Sequence, residues 1–170
     1  MRKIIDLILS RLVIILMSLL VIDVLLQVFA GIFISKSNPF SFTDELAEFL
    51  LIWVGLLGAA YVTGQKQHLA IELISNKLSE RNLLQLKIFI NILIALFAVL
   101  VLITGGIRFV LINIKLEQLS AAMQLPMWYV YLVLPLSGFF IIYYVIDDIK
   151  LLWIKATLQQ LRKGNRNISN

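Results

Sequence analysis

The sequence predicts an all-α membrane protein: four transmembrane helices, an interfacial amphipathic helix in a cytoplasmic loop, and both termini in the cytoplasm. Three observations carry this. The 170 residues are 61% hydrophobic and only 15% charged, against about 45–50% and about 25% for an ordinary soluble domain. The mean hydropathy is +0.95. The apolar residues fall into four runs long enough to cross a bilayer, and the basic residues gather in alternate loops. Folded in water, such a chain would expose far more apolar surface than a soluble monomer tolerates.

A helix needs about 20 mostly apolar residues to cross the hydrocarbon layer. Leu12–Ile34 supplies the first, interrupted only by Asp23. Arg2 and Lys3 precede it as they would a signal peptide, but the apolar run exceeds the roughly 7–15 residues of a signal sequence and no cleavage site follows. Leu46–Gly64 is the second span, with Glu48 near its start, and Ile88–Ile107 is the third, with no charge. Met127–Ile146 is the fourth, also uncharged, with Pro135 inside as an expected kink. The chain reads as one membrane domain over residues 1–170, ending in a polar tail over 155–170 that frays beyond Gly164.

Orientation follows from lysine and arginine counts. Twelve lie on one side: Arg2, Lys3, Arg11, Lys66, Lys77, Arg81, Lys87, Lys150, Lys155, Arg162, Lys163 and Arg166. Only Lys36, Arg108 and Lys115 lie on the other. The basic pI near 9.6 therefore reads as topology and not as nucleic-acid binding.

Shorter segments read as interfacial. Met1–Arg11 mixes apolar and charged residues and is expected to lie in the headgroup plane before the chain turns inward. Ile71, Ile74 and Leu78 recur at helical spacing opposite Glu72, Lys77 and Glu80, predicting a flat helix over about 69–80. Asn38-Pro39 marks a turn, with Thr43 as the expected N-cap of the second span and Asp44 and Glu45 in its first turn.

One histidine and no cysteine exclude a bis-histidine haem, an iron–sulfur cluster and an ordinary structural zinc site. No nucleophile motif, phosphate loop or catalytic carboxylate pair is present in the sequence, so an enzyme is not expected, nor a cofactor. Asp23 lies near mid-bilayer with Gln27 one turn on. It reads either as a proton or cation carrier or, preferably, as a structural carboxyl that is protonated or hydrogen-bonded to a neighbour. Glu45 and Glu48 match Arg108 in depth and predict an acidic–basic clamp, within the chain or to a partner, about 10 Å or more from Asp23. His68 is expected to anchor the turn into the flat helix. Trp128 and its neighbouring tyrosines fit an aromatic belt, while the deeper Trp53 suits packing against another helix. Gly55, Gly58, Ala59 and Ala60 form a stretch that another helix could approach closely. With one isolated deep acid and no pair of broken helices, the chain shows no self-contained transport site.

The run Glu45-Leu46-Ala47-Glu48, then Trp53-Val54-Gly55-Leu56-Leu57-Gly58-Ala59-Ala60-Tyr61, then His68-Leu69-Ala70-Ile71-Glu72, resembles the small membrane subunit, DctQ type, of tripartite ATP-independent periplasmic (TRAP) transporters. Leu125-Pro126-Met127-Trp128-Tyr129-Val130-Tyr131, with Pro135 and Gly138 beyond, is similar to that family's entry to its fourth helix. The likeness spans about residues 10–150. It departs at Gln65-Lys66-Gln67-His68, where the family often has basic residues and a glycine. The resemblance implies a sodium-driven importer of an organic acid, a sialic acid or another carboxylate, in the bacterial inner membrane. Its partners would be a large multi-helix membrane subunit, a soluble periplasmic substrate-binding protein and membrane lipids. Substrate and coupling sodium would sit in the large subunit. Glu45, Glu48, Trp53, Gly58, Arg108, Pro126 and Trp128 would then be fold or partner contacts. The competing reading is a self-sufficient proton-coupled exporter, dimeric, working through Asp23 or Glu48.

Overall fold

The computed structural model describes residues 2–33, 41–65 and 80–168. Helix α1 spans Arg2–Phe33 and α2 spans Ser41–Gly64. Helix α3, Glu80–Phe97, runs on through a π-helical segment, Ala98–Gly105, into α4, Gly106–Lys115. The short α5 covers Met127–Tyr131 and the long α6 covers Val133–Ile168. Among the described residues, four stretches are long and apolar enough to span a membrane, so the protein is a multi-pass membrane protein. The flat helix expected over 69–80, apart from Glu80 at the start of α3, lies outside the described residues, as do His68 and the Asn38-Pro39 turn.

The spans stand where the apolar runs put them, but their ends differ. Met1–Arg11 was expected to turn into the headgroup plane; residues 2–11 instead continue α1 unbroken. No glycine or proline interrupts the chain from Arg2 to Ala30, and the first turns have partners on α6, described below. Helix α2 starts at Ser41, so Thr43 sits inside its first turn and not at the cap. The third span extends the predicted 88–107 at both ends. The last helix runs to Ile168, past the predicted fraying at Gly164. The leucines, alanines, lysines and arginines of this stretch are good helix formers, and one glycine costs only about 1 kcal/mol.

Pro135 acts upstream of itself. It offers no N–H to the Tyr131 carbonyl, and its ring crowds that turn. The helix is accordingly interrupted at Leu132, between α5 and α6. Leu132 N–H still bonds Trp128 O at 3.1 Å and Leu136 N–H bonds Leu132 O at 3.3 Å, so the chain keeps its direction.

The helices form a row, not a closed bundle. Helix α1 packs on α2, α2 packs on α6, and α6 packs on α3 and the π segment, while α1 and α3 occupy opposite edges. The fourth span is therefore the most enclosed, 44% buried over its most apolar window against 11–17% for the other three. Leu9, Leu57, Ala60, Ala98, Leu102, Val133, Ile141, Tyr144 and Val145 form the core. Large apolar side chains cover the remaining faces, Ile14, Leu26 and Ile32 on α1 and Phe89, Phe97 and Leu100 on the third span among them. In a bilayer this exposure is favourable, since lipid tails are as apolar as leucine.

Glycines set the closest approaches. A Cβ at Gly138 would come within 2.8 Å of Ile103 and 3.0 Å of Leu102, and one at Gly106 within 2.8 Å of Leu134 and 2.9 Å of Pro135. The third span and α6 thus nearly touch at two levels. The wider π winding lies between Ala98 and Gly105, spanning the first contact and ending at the second.

Candidate functional site

Polar side chains organise both ends of the row. At the end carrying the N-terminus, the Arg2 guanidinium is ion-paired with Asp147, donates to Asp148 at 3.1 Å and donates to the Gly64 carbonyl. One arginine thereby ties α1 to the last turn of α2 and to α6. Asp148 is almost wholly buried, whereas Arg2 and Asp147 are partly exposed. The Tyr144 hydroxyl donates to the Asp6 carboxylate at 2.6 Å. The same ring lies 5.7 Å from the guanidinium carbon of Arg2, within range of a cation–π contact. Gly64 makes this assembly possible, because a Cβ there would fall 2.6–2.9 Å from three atoms of the Tyr144 ring.

At the opposite end, Glu45 reaches from the first turns of α2 to the loop between α4 and α5. Its two carboxylate oxygens accept the backbone N–H groups of Ala122 at 2.7 Å and Met123 at 2.9 Å. The loop is tightly built. Ser120 N–H bonds Leu125 O and Met127 N–H bonds Gln118 O, both at 2.9 Å, and Leu119 pairs with Pro126 in a single antiparallel bridge. Glu117 and Gln124 hold positive φ, 46° and 54°, a conformation unusual outside glycine that needs surrounding structure to maintain it. Between α2 and the loop is an open cleft of about 350 Å³, lined by Glu45, Glu48, Phe49, Gln118, Ser120 and Met127 among others.

The residues singled out from sequence are distributed through this frame. The predicted clamp between Arg108 and the acids is not formed within the described chain. Glu45 is taken by loop N–H groups, Glu48 is exposed, and Arg108 is exposed with no ion pair among the described residues. Fixed backbone donors already satisfy the Glu45 carboxylate and hold it without ordering a long arginine side chain. Asp23 is buried, 7% exposed, and its Oδ2 has no hydrogen-bond partner. Gln27, one turn away, is not bonded to it. Trp53 is half-buried against the core.

A Cβ at Gly58 or Gly55 would have nothing within 4 Å, whereas Ala60 of the same stretch is fully buried in the core; the closest glycine contacts are those of Gly64, Gly106 and Gly138. Pro126 precedes α5 and pairs with Leu119. Trp128 stacks on Tyr129 at 3.6 Å between centroids, and Pro135 abuts Gly106.

Sequence reasoning missed Arg2, Asp6, Tyr144, Asp147 and Asp148 as a unit. The available signal was the Asp147-Asp148 doublet, which directly follows the fourth uncharged run. Among the described residues no group of three potential metal ligands occurs.

Residues 16–154 match the family model described as tripartite ATP-independent periplasmic transporters, DctQ component. No curated protein sequence matches the chain. The match covers most of the chain, which belongs to the DctQ family, the small membrane subunits of TRAP transporters.

Proposed function

We propose that this DctQ component serves as a static brace for the large membrane subunit of a sodium-driven importer of an organic acid, a sialic acid or another carboxylate. One observation supports this above all. The four spans form an open row with apolar faces on both sides, a shape suited to lying against a larger helical body and not to enclosing a solute path. Substrate and coupling sodium belong, in this reading, to the large subunit, and this chain carries no cofactor and no catalytic group.

The side with twelve of the basic residues is assigned to the cytoplasm, within a bacterial inner membrane. The Glu45 loop then faces the periplasm, where a soluble binding protein delivers substrate and where this ordered loop helps to dock it.

The test is gentle extraction of the tagged chain from its own host, followed by native mass measurement. The brace reading requires a 1:1 assembly with a much larger membrane protein, and reconstituted uptake that needs sodium, the binding protein and both subunits. A homodimer without a companion, or solute transport by this chain alone, overturns it. Orientation is tested separately. The protein has no cysteine, so single cysteines at Ser169 and Gln118 report sidedness directly through an impermeant maleimide; the proposal needs Gln118 labelled in intact spheroplasts and Ser169 labelled only after lysis.

A further inference from the structure

The twenty residues Ile88–Ile107 carry no charge. At 1.5 Å per residue they cover about 30 Å, the thickness of the hydrocarbon layer. Arg108 follows directly and so stands at the boundary of that layer. Phe109 beside it meets Tyr131 edge-on at 4.5 Å, one turn from the stacked Trp128 and Tyr129, whose amphipathic rings suit the headgroup level. Lys115 lies seven residues further on, about 10 Å along the axis and on the same face of the helix.

Between the two cations, Leu111 and Ile112 are 52% and 42% exposed. Toward mid-membrane the chain exposes Thr104 and Gly105, both smaller than the leucines and isoleucines around them. Arg108 and Lys115 are themselves exposed and make no ion pair or hydrogen bond among the described residues. An arginine at the edge of hydrocarbon directs its guanidinium outward along its apolar stem, into the headgroup layer.

We propose that this face of α4 seats the headgroup of an anionic glycerophospholipid, with the phosphate held between Arg108 and Lys115 and an acyl chain lying over Thr104 and Gly105. The arginine reaches outward and the lysine folds back, so their charges converge on one headgroup at the phosphate level. Both cations flank the depth of the lipid phosphates, where anionic headgroups attract each exposed Lys or Arg by about 1 kcal/mol. The proposal rests on the membrane-spanning fold alone and is independent of the transport reading.

The test is native mass spectrometry of the full chain in detergent, titrated with palmitoyl-oleoyl-phosphatidylglycerol and, in parallel, with the zwitterionic phosphatidylcholine of the same chains. Phosphatidylglycerol is expected to be retained preferentially. R108Q and K115Q should each weaken it about fivefold, the pair together about 25-fold, and R108K/K115R should restore most of the affinity. Equal retention of the two lipids, or undiminished phosphatidylglycerol binding by R108Q/K115Q, overturns the proposal. Should the double variant fail to fold, the wild-type melting temperature in phosphatidylglycerol against phosphatidylcholine nanodiscs decides: stabilisation by the anionic lipid is required, and its absence refutes the seat.

Discussion

The Tyr144 hydroxyl donates a 2.6 Å hydrogen bond to the Asp6 carboxylate, joining side chains 138 residues apart. The bond sits beside the Arg2 ion pairs and fastens the first turns of α1 to the last span at one end of the row. Without it the first turns of α1 would be tied to α6 by the Arg2 pairs alone.

Tyr144→Phe keeps the ring and removes the donor. Hydrogen bonds to charged groups contribute about 1.5–3 kcal/mol, so the variant should unfold at lower temperature in detergent by a corresponding amount. Asp6→Asn should act similarly, and the double variant should cost less than the sum of the singles. Strict additivity in that cycle would show that the two groups do not interact.

Gly64→Ala places a Cβ against the Tyr144 ring, an overpacking that typically costs about 1–3 kcal/mol. Gly58→Ala meets open space and should leave the melting temperature of the isolated chain unchanged or slightly raised. Melting both variants by the same optical readout compares them. A larger loss for Gly58→Ala than for Gly64→Ala would contradict the packing described.

Glu45→Ala strips the acceptors from the Ala122 and Met123 N–H groups, leaving the 116–126 loop without its tie to α2. Hydrogen exchange at residues 120–125 should accelerate markedly in the variant, with the core of α6 unaffected. Glu48, exposed and unbonded, is the matched control: Glu48→Gln should leave loop exchange as it is.

Asp23→Asn removes a buried carboxyl whose Oδ2 has no partner among the described residues. In the brace reading, uptake and complex yield should fall together or not at all. A full yield of complex with uptake abolished would make Asp23 a participant in coupling and would sink that reading.

The number and position of the spans were legible in the sequence because a bilayer sets the length of an uncharged apolar run locally, residue by residue. The motifs around Trp53 and Trp128 were legible too, and they led to the family that residues 16–154 match. Arg108 and Glu45 show where legibility stopped. Matching depths suggested that they pair, yet depth says nothing of which face a helix turns to its neighbour.

In a soluble helix the apolar stripe marks that face; here both faces are apolar, as on α1 and the third span, and the pattern carries no inward direction. Only the tertiary structure decided that Glu45 spends its charge on loop N–H groups 77 and 78 residues away. It alone decided that Arg2 joins Asp147 and Asp148, and that Gly64, Gly106 and Gly138 mark the close contacts while Gly58 does not. Membrane insertion depends on the composition of each segment taken singly. Helix pairing depends on small groups and hydrogen bonds that meet across the chain, and those meetings exist only once the row is assembled.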